Sequence, residues 1–112
     1  MQIITKIIEI ATKPGINLHD ITPQIKEFLV ETTIKNGQLV VFNQHTTTAL
    51  AINEYEERLL VDIQTHLAQF APADAKYLHN DLHLREVPPD EPENAHSHLI
   101  ALSLSNLSLI HI

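Results

Sequence analysis

The first third of the chain contains two hydrophobic patterns, one typical of a strand and one typical of a helix. The isoleucine-rich residues 2–10 put branched side chains on both faces of an extended segment, which predicts a strand that is covered on both sides. Further on, Thr22 is a suitable helix N-cap, and Pro23 suits the first helical position, where its missing N–H costs nothing. Apolar residues then recur at helical spacing, so the sequence predicts a helix over residues 22–35 against a sheet.

A second strand and a second helix follow. The apolar run within residues 38–43 predicts a buried strand. Asn53, with Glu56 three residues later, forms a capping-box pattern. The apolar residues between Leu59 and Phe70 share one helical face. We therefore predict a helix over residues 54–70.

The last third of the chain contains an irregular segment and two strand-like runs. Residues 71–95 hold four prolines and no sustained period, as in a functional or a disordered loop. Read as a strand, residues 96–104 place His96 and His98 on one face. With a final strand over residues 107–112, the pattern predicts one α+β domain with two main helices and predominantly antiparallel strands.

Composition narrows the class of protein. A chain of 112 residues, 44% of them apolar, has the size of one domain, and association would add buried surface. The net charge of −7, with only seven Lys and Arg, argues against nucleic-acid and membrane-surface partners. Because the chain has no cysteine, no long apolar run and no signal-peptide pattern, we expect a cytoplasmic protein.

Eight histidines make imidazole chemistry the main candidate. His45 precedes Thr46, Thr47 and Thr48, a run that suits a bend after a strand better than a helix interior. At such a bend the hydroxyl and backbone N–H groups can face an anion while His45 binds a metal or transfers a proton. The alternative is that these are ordinary strand and turn residues.

Two further histidine motifs follow the second helix. In the segment YLHND, His79 with Asn80 and Asp81 provides the parts of a metal ligand or of a general acid with its orienting group, and equally those of an Asx turn. On a strand, His96 and His98 would point at one metal ion, unless they simply form a polar strand end. The other histidines are interpreted as structural or surface residues: His19, His66, His83 and His111.

Together these motifs resemble those of the YjbQ-like family, often described as secondary thiamine phosphate synthases. HTT at 45–47 with Asn53 and Glu54, YLHND at 77–81 and NAHSHL at 94–99 occur in order over the whole chain. The resemblance implies a β-sandwich-like α+β fold and a homotrimer with pockets near subunit boundaries. It also implies that a hydroxymethylpyrimidine pyrophosphate is joined to a thiazole phosphate, with release of pyrophosphate.

The resemblance and the chemistry of these residue types together give ten candidate site residues. His45, His79 and His98 would bind a divalent metal such as zinc, or, without metal, a phosphate. Catalytic roles fall on His45, Asn80 and Asp81. Contacts with a small phosphorylated substrate or anion fall on Thr46, Thr47, Asn53, Glu54 and His96.

The separation of His45 from Asn53 and the length of the chain limit how the active site can form. Along a straight strand His45 and Asn53 would lie about 26 Å apart at ~3.3 Å per residue, so they share a pocket only through a bend or a neighbouring subunit. The family pattern also continues past the last residue of this chain with a glycine-rich turn and further strands. We therefore expect a YjbQ-like domain over residues 1–112 without the family's C-terminal strands.

Sparse basic residues favour a second function. Only Arg58, Lys76 and Arg85 follow Lys35 as Lys or Arg, which leaves no obvious cationic clamp for a pyrophosphate. The alternative function is a metal- or small-anion-binding module without dedicated catalysis. The sequence leaves both functions open.

Overall fold

Three helices and one two-stranded sheet make up the regular structure. The computed structural model describes all 112 residues. The elements are α1 (Thr22–Thr32), β1 (Gln38–Phe42), α2 (Glu57–Phe70), α3 (Ala95–Ser103) and β2 (Leu107–His111), with single 3₁₀ turns at Leu78–Asn80 and Leu82–Leu84. β1 and β2 pair in antiparallel register. The chain is therefore α+β, as predicted, and none of its helices has the length and apolarity to cross a membrane.

The residues pack as two compact units. One contains residues 1–39 and 110–112, and the other contains residues 40–109. The boundaries between the units fall within β1, after Leu39, and within β2, after Leu109. The single domain expected from the chain length stays a prediction.

In the first unit, α1 confirms the first predicted helix but begins differently. Its N-cap is Ile21 and no side chain caps it, so the capping role expected of Thr22 is wrong. Asp20 instead accepts a hydrogen bond from the Thr22 N–H at 3.0 Å. Hydrogen bonds from the Thr22 hydroxyl and N–H lower the pKa of the Asp20 carboxyl below its usual value. Pro23 lies in the first turn, as predicted.

The C-terminal end of α1 lies earlier than the sequence predicted. The hydroxyl of Thr32 donates to the carbonyl oxygen of Leu29 at 2.8 Å and accepts the Ile34 N–H at 3.3 Å. Thr33 adopts a left-handed conformation with φ of 59°. This local bonding satisfies groups that the helix would otherwise use to continue, so α1 ends at Thr32.

The predicted strand over residues 2–10 is wrong. The structure has no helix or strand before α1, and β1 and β2 form the only sheet. A branched, apolar segment becomes a strand only when a neighbour pairs with its N–H and C=O groups, and Ile7 is 79% exposed. The segment contacts α1 through Lys6, whose Nζ lies 3.1 Å from the Glu31 carboxylate and 6.0 Å from the centroid of the Phe28 ring.

In the second unit, α2 confirms the second predicted helix with a different cap. Glu56 is the N-cap, and its carboxylate accepts the Leu59 N–H at 2.6 Å. Asn53 lies outside the helix and accepts the N–H of its neighbour Glu54 at 2.8 Å. The predicted capping box is therefore wrong. Glu56 was expected to lie inside the helix and bond back to Asn53, but Glu56 is itself the N-cap of α2.

The largest correction concerns residues 96–104, which the pattern predicts as a strand, whereas the structure has the helix α3 over Ala95–Ser103. A short apolar run fits either state by periodicity, and the Ala and Leu residues here are good helix formers. The helix buries Ala95 and Ile100. Because side chains two apart on a helix point about 200° apart, His96 and His98 do not share a face.

Few side chains are fully buried. Only Leu39, Leu67, Ala71, Ala95 and Ile100 form the buried apolar set. Nineteen large apolar side chains are exposed, including residues of both strands.

Candidate functional site

His45 and the threonines lie in an exposed turn after β1. Thr46 and Thr47 form the turn itself, which confirms the predicted bend. Asn43 holds it, because its Oδ1 accepts the His45 N–H at 3.2 Å and its Nδ2 donates to the Thr48 carbonyl oxygen at 3.1 Å. The side chains of His45, Thr46 and Thr47 remain exposed. Hydrogen bonding here fixes the backbone and leaves the imidazole in solvent.

Asn53 and Glu54 are also exposed. They follow Leu50, whose N–H bonds to the Ser105 carbonyl oxygen at 2.6 Å in an isolated antiparallel bridge. The turn at residues 46–47 bends the chain between His45 and this bridge, so residues 45–53 do not form one straight strand. The substrate contacts predicted for Asn53 and Glu54 stay predictions.

His79 and His98 are brought together. Their ring centroids lie 4.9 Å apart with the planes at 82°, an edge-to-face contact. His79 lies in the 3₁₀ turn after α2, and His98 lies in the first turn of α3. The Nε2 atom of His79 is buried and has no hydrogen-bond partner. Buried polar atoms are almost always paired, and this nitrogen is one of the exceptions in this chain.

A hydrogen bond from the Ala95 N–H to the side chain of Asn80 joins the two segments. The Asn80 Oδ1 accepts the N–H of Ala95, the first residue of α3, at 3.1 Å. That bond satisfies one of the N–H groups that every helix start leaves open. Because Asn80 follows His79 and Ala95 precedes His98 by three residues, one contact positions both imidazoles. The catalytic role predicted for Asn80 stays a prediction.

His96 and Asp81 lie close in sequence to the pair. The His96 Nε2 is 3.4 Å from the Ser97 hydroxyl, and its buried Nδ1 has no hydrogen-bond partner. Asp81 is half-buried after the 3₁₀ turn and donates its N–H to the Leu78 carbonyl oxygen at 3.1 Å. The substrate contact of His96 and the catalysis by Asp81 stay predictions.

The predicted metal site requires three ligands from His45, His79 and His98. A catalytic zinc ion takes three protein ligands and keeps one open position. His79 and His98 provide two neighbouring imidazoles, while His45 lies in the exposed turn. No group of three His, Cys, Asp or Glu side chains is arranged to hold a metal ion. The metal ligands predicted at His45, His79 and His98, and the divalent metal itself, stay predictions.

An open apolar groove lies between the end of α2 and α3, with a volume of about 270 Å³. Its lining is Phe70, Ala71, Tyr77, Leu99, Leu102 and Ser103. Tyr77 precedes the histidine turn, and Leu99 follows His98 in sequence. The groove contains none of the ten predicted site residues, so it does not itself identify the chemistry.

Arg85 has unsatisfied polar atoms that the sequence analysis did not connect to a site. Its Nε and Nη2 atoms are buried without a hydrogen-bond partner, and Nη2 lies 3.9 Å from Oε1 of Glu91. The sequence contained one indication that Arg85 is special, because it is the only Lys or Arg after Lys76.

Comparisons with known proteins give one consistent result. The family model described as "UPF0047 protein YjbQ-like" matches residues 6–112. A UPF0047 protein of Methanothermobacter thermautotrophicus is 36% identical over 112 residues, which covers 100% of this chain and 72% of that protein.

Solved structures agree in fold. A YbjQ-like protein of unknown function from Sulfolobus solfataricus superposes with a TM-score of 0.77 at 31% identity, covering 92% of this chain and 68% of that one. An uncharacterised protein of the yjbq/upf0047 family from Clostridium acetobutylicum gives a TM-score of 0.69 at 28% identity, with 84% and 65% coverage. This chain thus spans less than two thirds of the Clostridium protein.

Proposed function

Because the chain belongs to the UPF0047 family of YjbQ-like proteins, we propose that it acts on small phosphorylated molecules as a secondary thiamine phosphate synthase. In this reaction the ring nitrogen of a thiazole phosphate attacks the methylene carbon of a hydroxymethylpyrimidine pyrophosphate. A C–N bond forms and the C–O bond to pyrophosphate breaks. Pyrophosphate leaves with the electron pair of that bond, so the protein has to stabilise negative charge on the leaving group.

The contact between His79 and His98 is the observation that supports this proposal. Two motif histidines separated by 19 positions meet with a ring-centroid distance of 4.9 Å, and the His79 Nε2 is buried without a partner. A protonated imidazole nitrogen donates a hydrogen bond to a phosphate oxygen, and donors fixed before the reaction stabilise developing charge most effectively. Asn80 positions both segments through Ala95.

A divalent metal is part of the proposal. When bound, such an ion would stabilise the charge on the leaving pyrophosphate. His79 and His98 would provide two of its ligands, and His45 of the same chain or of a second copy would provide the third.

Assembly as a homotrimer in the cytoplasm, with a β-sandwich-like sheet, is also proposed. It is supported by the family and by apolar side chains on both strands, since Val40 and Phe42 are 54% and 60% exposed and Leu107 and Leu109 are 49% and 57% exposed. Association would remove this surface from water. Light scattering at micromolar concentration should give three times the chain mass, and a monomer mass would contradict the assembly.

The activity is tested by release of pyrophosphate and formation of thiamine phosphate from the two substrates. Replacing His98 with Ala should lower kcat about 10²-fold, the usual cost of removing one preorganised donor. His66, an exposed histidine on α2, provides the matched control, and His66→Ala should retain the wild-type rate. Absence of product with the wild-type protein, or equal rates for the two variants, would contradict the proposed function.

A metal- or anion-binding module without dedicated catalysis is the second candidate. The scarcity of cationic side chains favours it, because only Arg58, Lys76 and Arg85 follow Lys35. Protons compete with a metal for imidazole nitrogen, so zinc affinity should fall from about pH 8 to about pH 5.5, while phosphate affinity should rise as imidazoles gain charge. Binding that depends on His98 but proceeds without turnover would support this candidate.

A further inference from the structure

Arg85 has two unsatisfied donors on a permanent charge. Its Nε and Nη2 atoms are shielded from solvent and have no hydrogen-bond partner. A guanidinium does not lose its proton in proteins, so burial of these donors is unfavourable unless an acceptor reaches them. Native structures contain few such groups, and each calls for a specific explanation.

The two donors share one edge of the guanidinium plane. Their N–H bonds point in the same direction, which matches two oxygen atoms of one carboxylate or phosphate group. Glu91 is the neighbouring acid, but its Oε1 lies 3.9 Å from Nη2, beyond hydrogen-bonding distance. Glu91 therefore compensates the charge of Arg85 without satisfying the donors on this edge.

The contact between Arg85 and Glu91 is weak enough for another anion to replace Glu91. The side chains of Arg85 and Glu91 retain 32% and 27% of their accessible surface, and partly exposed pairs contribute little to stability. Glu91 lies in a proline-rich segment, in a turn closed by its N–H bond to the Pro88 carbonyl oxygen at 3.1 Å. A shift of this turn would carry the Glu91 carboxylate away from Arg85 Nη2.

We propose that the Nε and Nη2 edge of Arg85 binds a phosphate group of a small molecule, and that Glu91 moves away when this group binds. Phosphate is favoured over carboxylate because its larger charge better offsets the loss of the Glu91 contact. The choice of pyrophosphate as the phosphate-bearing ligand rests on the proposed function. Arg85 then supplies a cationic group for the phosphate, although the spacing of basic residues in the sequence indicates no such clamp.

Calorimetric titration of the full chain with inorganic pyrophosphate tests this site. Arg85→Gln should lower the affinity about 10- to 100-fold, as expected for loss of charge-assisted hydrogen bonds. Arg85→Lys should weaken binding about 10-fold, because an ammonium keeps the charge but lacks the paired donors. Glu91→Gln should bind more tightly than wild type. The control Arg58→Gln removes the same charge from α2 and should change affinity less than about twofold.

Three results would overturn the site. These are equal losses in Arg58→Gln and Arg85→Gln, weaker binding by Glu91→Gln, or acetate binding to the wild-type chain as tightly as pyrophosphate does. If circular dichroism shows that Arg85→Gln does not fold, Arg85→Lys and Glu91→Gln decide the question. Arg85-dependent binding of pyrophosphate without turnover contradicts only the proposed function. Turnover by a variant at Arg85 with unchanged pyrophosphate affinity contradicts only this inference.

Discussion

The histidine pair at His79 and His98 and the turn at His45 carry similar motifs but differ in how they are held. The pair is half-buried, with its rings in contact, and is fixed by a hydrogen bond between Asn80 and Ala95 across 15 positions. Bonds within the His45 turn span five positions at most and leave its side chains exposed. Short-range bonds fix a backbone conformation, whereas only a long-range contact fixes where two side chains meet.

Loss of the long-range contact should have the largest effect. Asn80→Leu removes the acceptor of the buried Ala95 N–H and should lower the free energy of unfolding by about 1–3 kcal/mol. Asn43→Leu, the corresponding change in the His45 turn, should cost less than about 1 kcal/mol because water replaces the exposed bonds. Urea denaturation measures both. Asn80→Asp keeps an oxygen acceptor and should recover stability. Equal costs at Asn80 and Asn43 would remove the distinction between the two regions.

Energetic coupling between the histidines should be smaller but specific. A double-mutant cycle of His79→Ala and His98→Ala should give a coupling free energy of about 0.5–1.5 kcal/mol, as for other edge-to-face ring contacts. The same cycle with His45→Ala and His98→Ala should stay within about 0.3–0.5 kcal/mol of additivity. A larger coupling for His45 than for His79 would show that the three-histidine site forms in solution.

Asn53 and Glu56 both lie near the start of α2, but only Glu56 caps the helix. Glu56→Ala removes the acceptor of the Leu59 N–H and should cost about 0.5–1 kcal/mol of stability. Asn53→Ala should cost less, because its bond to the Glu54 N–H caps no helix. Helix content by circular dichroism and thermal unfolding of both variants provide the measurement. Greater loss from the Asn53 variant would restore the predicted capping box.

Acidification should give the smallest effect, through Asp20. Its bonds to Thr22 lower the pKa of the carboxyl from its usual value of 3.8, so the charged form is favoured in the folded state. The resulting stability is present above that value and is lost as pH falls through the lowered pKa. NMR titration of the Thr22 amide should therefore show a shift at a pH below 3.8. Asp20→Asn should remove it, and an unchanged titration in that variant would assign it elsewhere.

Several elements follow directly from local sequence. Pro23 and the apolar period after it identify α1, and the regular apolar face after Glu56 identifies α2. The threonines at 46–48 identify the bend, and the short apolar runs identify β1 and β2. In each case the determining interactions join residues a few positions apart, or the spacing alone selects the face that packs. The three motifs also identify the family without any knowledge of the fold.

Tertiary contacts decided the rest. Residues 96–104 fit a strand or a helix by pattern, and the burial of Ala95 and Ile100 together with the Asn80 bond accompanies the helix. Residues 2–10 have the composition of a strand but no strand beside them in this chain. The meeting of His79 with His98 and the unsatisfied edge of Arg85 likewise depend on packing between distant segments. Sequence by itself determined which side chains carry chemistry, and the packing decided which of them share a site, because proximity between distant residues is not encoded in local spacing.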